Sequence, residues 1–193
     1  MNSPDWTAAW LPMQQALGRE FGEGRPEVWG EVIEAGAVRR YIEPLEMGCA
    51  LHNDAGVARK HGHANITVPF TALASFALPL LWRPGETPLF TDPGRDAQPV
   101  RSHIGGILFG LEPPTTHFFA VDSEADFLKP AVVGDRLCRR GALLLSCVPK
   151  QTRLGRGAFI GWQTEVLNQR RELLARLRTT FFRYNPHPAG APP

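Results

Sequence analysis

Apolar residues at Val38, Tyr41, Ile42 and Leu45 recur at i, i+3, i+4 and i+7, opposite Arg39, Arg40, Glu43 and Glu46. That spacing predicts an amphipathic helix starting near Ala37. Pro44 falls inside the pattern and removes a backbone donor, so the helix is expected to end near Glu43. A polar turn follows through His52, Asn53 and Asp54 to Gly62. From Phe70 to Trp82 almost every position is apolar. This predicts a second helix, buried all round, with Pro69 in its first turn. Upstream, Trp6, Ala9, Trp10, Met13, Leu17 and Phe21 approximate a helical stripe, and Val28 to Glu34 reads as a short first strand.

Downstream the period changes. Residues 83–106 are dense in Pro, Gly and Asp, which break both helix and strand, and form a long loop. In Thr116–Phe127, Phe119, Val121, Ala125 and Phe127 alternate with Asp122, Glu124 and Asp126, the mark of a half-buried strand. A second strand runs from Val133 to Cys147, entered through Gly134 and Asp135. A third presents Ile160, Trp162, Thr164 and Val166 on one face, and a fourth presents Leu173, Ala175, Leu177, Thr179 and Phe181. The turns between them fall at Lys150–Gly157 and Asn168–Arg171. One apolar helix followed by antiparallel strands predicts the α+β class. The chain divides into a helical extension (1–27), one domain (28–184) and a Pro-rich tail expected to be disordered (185–193).

Composition narrows the function. The 193 residues suit a single domain with a sizeable core. A net charge of +2 and the lack of any long basic run argue against nucleic acid. The longest apolar run, 13 residues, falls short of the roughly 20 that a membrane span needs. Asp5 and the lack of a basic N-terminal region argue against a secretory signal. Cys49, Cys138 and Cys147 are odd in number and lack metal spacing, so a reducing, cytoplasmic setting is expected. His61 and His63 flank Gly62 with no Cys or carboxylate at ligand spacing, and no metal is expected. No Ser-centred elbow, CxxC pair, P-loop or GxGxxG fingerprint is present.

The stretch Leu45-Glu46-Met47-Gly48-Cys49-Ala50-Leu51-His52-Asn53-Asp54, with Gly62-His63-Ala64-Asn65-Ile66-Thr67-Val68-Pro69-Phe70-Thr71 after it, resembles the MaoC-like acyl-CoA hydratases and dehydratases. It is most similar to their N-terminal, dehydratase-like domain. The resemblance extends from Val32 to Tyr184 and includes Gly155-Arg156-Gly157 and Asn168-Gln169. It implies a hotdog fold, an antiparallel sheet wrapped around a central apolar helix. It also implies a coenzyme A thioester as substrate, a place in fatty-acid metabolism, no other cofactor, and pairing of hotdog domains edge to edge. An isolated small sheet would otherwise leave a strand edge unpaired.

The family pattern places an Asp, an Asn and a Pro where this chain has Met47, Cys49 and Ala50, while its His survives as His52. Hydration of an enoyl-CoA needs a base to activate water, an acid for the α-carbon, and donors for the thioester oxygen. His52 is either the surviving base or a hydrogen-bonded loop histidine. The amides of Phe70 and Thr71 are either the thioester-oxygen site or simply capped, for instance by Thr67. Lys150, Arg153 and Arg156 either meet coenzyme A phosphates or form a solvated hairpin tip.

Three functions follow. The chain is the degenerate, acyl-binding partner of a catalytic hotdog subunit in an (R)-specific enoyl-CoA hydratase or 3-hydroxyacyl dehydratase. Alternatively it is a self-sufficient hydratase using His52 with Glu46 or Asp54, or a non-catalytic acyl-binding or scaffold protein. The thioester is carried by coenzyme A or by acyl carrier protein, and the assembly is a homo- or hetero-oligomer. Thioesterase activity is a lesser option, since the fold also hosts it.

Overall fold

Four long antiparallel strands make one sheet: β1 (His117–Phe127), β2 (Leu137–Gln151), β3 (Gly155–Asn168) and β4 (Leu173–Pro186), in the order β1-β4-β3-β2. The computed structural model describes residues 5–23, 27–94, 99–100 and 108–187. The period-two reading holds best in β3 and β4. Val166, Thr164, Trp162 and Ile160 lie opposite Ala175, Leu177, Thr179 and Phe181 in register, on one face, and all but Thr179 are buried.

That inner face carries two apolar clusters. One joins Leu137, Val166, Ala175 and Leu177 to Val38 and Ile42 of α2 (Ala35–Ile42) and to Ala72 and Leu73. The other joins Leu144, Ile160, Trp162 and Phe181 to Trp10 and Met13 of the N-terminal segment. The opposite face is aromatic at one end, where Phe159, Phe182 and Tyr184 stack, and charged at the other. Glu165 bridges Arg140 (2.8 Å) and Arg176 (3.6 Å), and Arg178 pairs with both Glu124 and Asp126. At the charged end, an apolar face under cover and a charged face outward is the division an antiparallel sheet favours.

The long buried helix expected over Phe70–Trp82 does not form. A single 3-10 turn (Phe70–Ala72) leads into α4 (Leu73–Phe76), four residues long. Pro79 is the reason. Its ring would clash with the carbonyl four residues back, and it biases Leu78 away from the helical region. Leu78, Leu80 and Trp82 are exposed rather than buried.

The first helix behaves as its pattern predicts. α2 ends at Ile42 and Pro44 sits in a following 3-10 turn (Glu43–Leu45). Leu45, counted in the apolar stripe, is exposed. The expected strand at Val28–Glu34 is reduced to a bridge between Trp29 and Cys138, with Gly30 and Ile33 donating to Leu137 and Asp135.

The N-terminal stripe is helical only to Gln15, as a 3-10 turn (Trp6–Trp10) and α1 (Leu11–Gln15). Residues 18–21 then run along β2, bonding Ala142 and Leu144. At the other end, Asn185 and Pro186 belong to β4 rather than to a tail. The rest of the expected tail, from residue 188, lies outside the described residues.

The hairpin turn between β3 and β4 is held by an acid. The Glu172 carboxylate accepts from the Asn168 side chain (2.7 Å), Arg170 Nε (3.0 Å) and Lys129 Nζ (3.3 Å). These donors, Asn168 foremost, pull its pKa from 4.5 down to about 2. A carboxylate with a depressed folded pKa stabilises the fold above its unfolded value and loses that contribution as it protonates. Thermal stability is therefore expected to fall as pH drops from about 4.5 towards about 2. Glu172→Gln should flatten that part of the profile, which melting curves at stepped pH would read.

Candidate active site

The segment expected to carry chemistry is built by short local devices. His52 ends a 3-10 turn (Ala50–His52). Two residues on, Asp54 caps α3 (Ala55–Lys60), its Oδ1 accepting from the amides of Gly56 (2.6 Å) and Val57 (3.0 Å). Those two bonds, Val57 first, hold its carboxyl below the usual range. α3 replaces the turn read from sequence, although Asp at its start and Gly just past its end are capping signals. Gly62 has φ +85° and its amide donates to Arg59, closing the helix in the left-handed conformation that glycine tolerates.

The chain then returns beside His52. Thr67 donates its amide to Leu51 (2.9 Å), and its carbonyl accepts from His52 Nδ1 (2.8 Å). A carbonyl can only accept, so Nδ1 carries a proton, and in the neutral ring the lone pair is on Nε2. The Thr67 hydroxyl lies 3.0 Å from the same Nδ1 and donates to the Leu51 carbonyl (3.2 Å). The histidine is thus a hydrogen-bonded loop residue and also presents a free basic nitrogen.

No carboxylate joins it among the described residues. Asp54 is engaged in capping α3, and Glu46 is exposed, in a left-handed conformation (φ 49°). Met47 is half-buried and packs against the core cluster that holds Val68, Ala72 and Leu73. Those residues flank Phe70 and Thr71, whose amides open the 3-10 turn. Thr67 does not cap them, and among the described residues neither amide has a partner. The Phe70 ring is exposed and stacks on Phe127 of β1, centroids 4.7 Å apart.

The cationic hairpin is elsewhere. Lys150, Arg153 and Arg156 lie at the β2–β3 turn. Val166, beneath the helices, is eleven residues along β3 from Gly155, roughly 35 Å at about 3.3 Å per residue. Arg156 donates to Gln151 (3.0 Å) and faces the Trp6 ring, on the wall of an open cleft of about 580 Å³. One chain therefore brings together His52, Met47, Phe70 and Thr71 but leaves the three cations at the far end of its sheet.

The profile model of the FAS1-like dehydratase domain region matches residues 15–177, most of the chain. The chain belongs to this family. A comparison with curated protein sequences finds no match. The FAS1-like dehydratase region described here is similar in structure to the ChsH1-ChsH2 complex from Mycobacterium tuberculosis. The TM-score is 0.65 at 16% identity, covering 96% of this chain and 99% of that one. A MaoC-like dehydratase from Rhodospirillum rubrum gives 0.54 at 19% identity, covering 90% and 94%. An (R)-hydratase from A. caviae involved in PHA biosynthesis gives 0.51 at 15%, covering 88% and 96%. At such identities the likeness is one of fold, and the fold is the hotdog of the MaoC-like family.

Within this family member the thiols provide a probe of the candidate site. Cys49 is exposed beside Met47, whereas Cys138 and Cys147 are buried. Burial pushes the Cys147 thiol up to about 11 and raises Cys138 as well. Thiolates react and buried thiols do not. Titration of the native protein with a thiol reagent at pH 8 should show one fast group, and Cys49→Ser should abolish it. The other two should react only on unfolding. Among the described residues no cluster of His, Cys, Asp or Glu is arranged to hold a metal. Nor is any helix among them long and apolar enough to cross a membrane.

Proposed function

We propose that this chain is the acyl-binding, chemically degenerate subunit of a two-hotdog enoyl-CoA hydratase or 3-hydroxyacyl dehydratase. A partner hotdog subunit supplies the acid–base pair. One observation carries the reading: Met47 stands where the family has a carboxylate, and its side chain is spent on the apolar core. A thioether can neither give nor take a proton, but it fills irregular apolar space well.

The remaining machinery is partial. The free amides of Phe70 and Thr71 still suit a thioester oxygen. Among the described residues no carboxylate stands beside His52. One similar structure is named as a complex of ChsH1 with ChsH2, which supports pairing here. The edge strand β1 fits the same picture. It is exposed along most of its length and, among the described residues, bonded on one side only, to β4. Unpaired edges of that kind attract another strand. The substrate is an acyl thioester of coenzyme A or acyl carrier protein, and the setting is the cytoplasm.

Reconstitution tests this. The chain alone should hydrate crotonyl-CoA near the uncatalysed rate. Mixed with a co-encoded hotdog that keeps the Asp and His, it should sediment as a complex and hydrate the substrate. Brisk turnover by the lone chain would instead support the self-sufficient hydratase. Tight acyl-CoA binding without turnover in either state would support a scaffold role.

A further inference from the structure

Arg139 differs from the arginines of the outer face, and from the buried Arg183 of β4 in having no carboxylate that offsets its desolvation. Arg140, Arg176 and Arg178 lie on the outer face, each paired with a carboxylate. Arg139, paired in register with Val166, lies on the inner face and is half-buried. Its only polar partner among the described residues is the Thr164 hydroxyl, a neutral group at 3.2 Å. Burial disfavours its charge, and no carboxylate offsets that effect. Arginine does not escape by losing its proton. A desolvated guanidinium without a counter-charge is costly, so proteins retain one where an anion comes to it.

A second observation lies on the same face. Trp162, two residues from Thr164 along β3, is almost wholly buried, and among the described residues its Nε1–H has no acceptor. Buried indole N–H groups are normally satisfied. The inner face therefore carries a row of donors, Arg139, Thr164 and Trp162, with too few acceptors. The row adjoins Val166, part of the cluster against which Met47 packs behind the Phe70 mouth.

We propose that Arg139 binds a carboxylate at the far end of the acyl group, so that this subunit selects dicarboxylic acyl thioesters over plain fatty ones. The substrate class rests on the acyl-binding function proposed above, whereas the anion site itself does not. Arg139 supplies two parallel N–H donors to the two oxygens, the arrangement guanidinium and carboxylate favour. The apolar cluster around Val166 lines the carbon chain between that carboxylate and the thioester.

The test uses the full chain, glutaryl-CoA and pentanoyl-CoA, which have the same chain length and differ in the terminal carboxylate. Calorimetry should give glutaryl-CoA a Kd at least about tenfold lower, the effect expected of a charge-assisted pair. Arg139→Met should remove that difference while leaving the pentanoyl-CoA Kd unchanged. Free glutarate at about 10 mM should raise the melting temperature of the wild type and not of Arg139→Met. The variant itself should melt no lower than the wild type, because an apolar side chain replaces an unpaired charge.

If neither thioester binds while glutarate still stabilises only the wild type, the anion site stands and the acyl-binding reading fails. Equal affinity for the two thioesters would overturn the proposal. So would Arg139→Met melting several degrees lower with no response of the wild type to glutarate, which would mark a purely structural arginine.

Discussion

Met47→Asp is expected to raise the crotonyl-CoA hydration rate of the isolated chain only partway towards that of an intact hotdog hydratase. A positioned acid–base group contributes about 10²–10⁴-fold, so a wild-type chain lacking the carboxylate should sit near background. The substitution returns the group but not its aim. Cys49 and Ala50 replace the Asn and Pro of the family turn, and Glu46 just before the site holds φ at 49°. A misplacement of about 1 Å costs on the order of 10²-fold. The new carboxylate would also displace a side chain that packs on the core, so its pKa would rise through desolvation. A pH–rate profile of Met47→Asp should therefore have its acidic limb above the ordinary aspartate range. Full activity of Met47→Asp alone would show that the turn, despite its altered residues, still aims the side chain.

The largest stability effect is expected at Asp135, buried where the chain enters β2. Its carboxylate accepts from the Val132 amide (3.0 Å), Gln169 Nε2 (3.0 Å) and Arg170 Nη1 (3.2 Å). It thus ties the start of β2 to the β3–β4 turn. Asp135→Ala leaves a half-buried backbone donor and a side-chain amide without their acceptor and removes the partner of Arg170. Because Arg170 and Gln169 are exposed and rehydrate, the cost is that of lost charge-assisted hydrogen bonds, about 2–3 kcal/mol. At about 2–4 °C per kcal/mol for a chain of this size, the melting temperature should drop by several degrees. Asp135→Asn should fall between the two, because its NH₂ cannot accept from those donors. A loss below about 1 kcal/mol for the alanine variant would show that water replaces the carboxylate without strain.

These two sites differ in how visible they were in the sequence. Gly134-Asp135 before an apolar run is a local turn signal, and the alternation of β3 and β4 gave their inner faces correctly because both faces keep one period. β1 did not. A register shift between Ala120 and Asp122 inserts a bulge. It leaves Ala125 and Phe127 opposite inner-face residues but puts Phe119 opposite Phe182, on the outer face. The apolar run at Phe70–Trp82 misled for another reason. Hydropathy says that a segment prefers burial, whereas Pro79 decides that it cannot be one helix.

The candidate site was legible mainly through resemblance. Nothing in the spacing of His52 and Thr67 announces that one holds the other, because the contact spans fifteen residues and an intervening helix. Arg139 was hidden altogether. Next to Arg140 it reads as one more strand charge, and only the register with Val166 turns it inward.

The most direct test of the non-catalytic reading is His52→Ala in the assembled complex with a catalytic hotdog partner. His52 presents Nε2 with no partner among the described residues, so it is placed to contradict that reading. Because its Nδ1 also braces Thr67, the complex must first be shown by sedimentation to assemble as the wild type does. The initial rate of crotonyl-CoA hydration is then compared at equal complex concentration. On the non-catalytic reading the rate stays within about twofold of the wild type. A fall of about 10²-fold or more, the loss expected when a working base is removed, would contradict it and make His52 a catalytic residue.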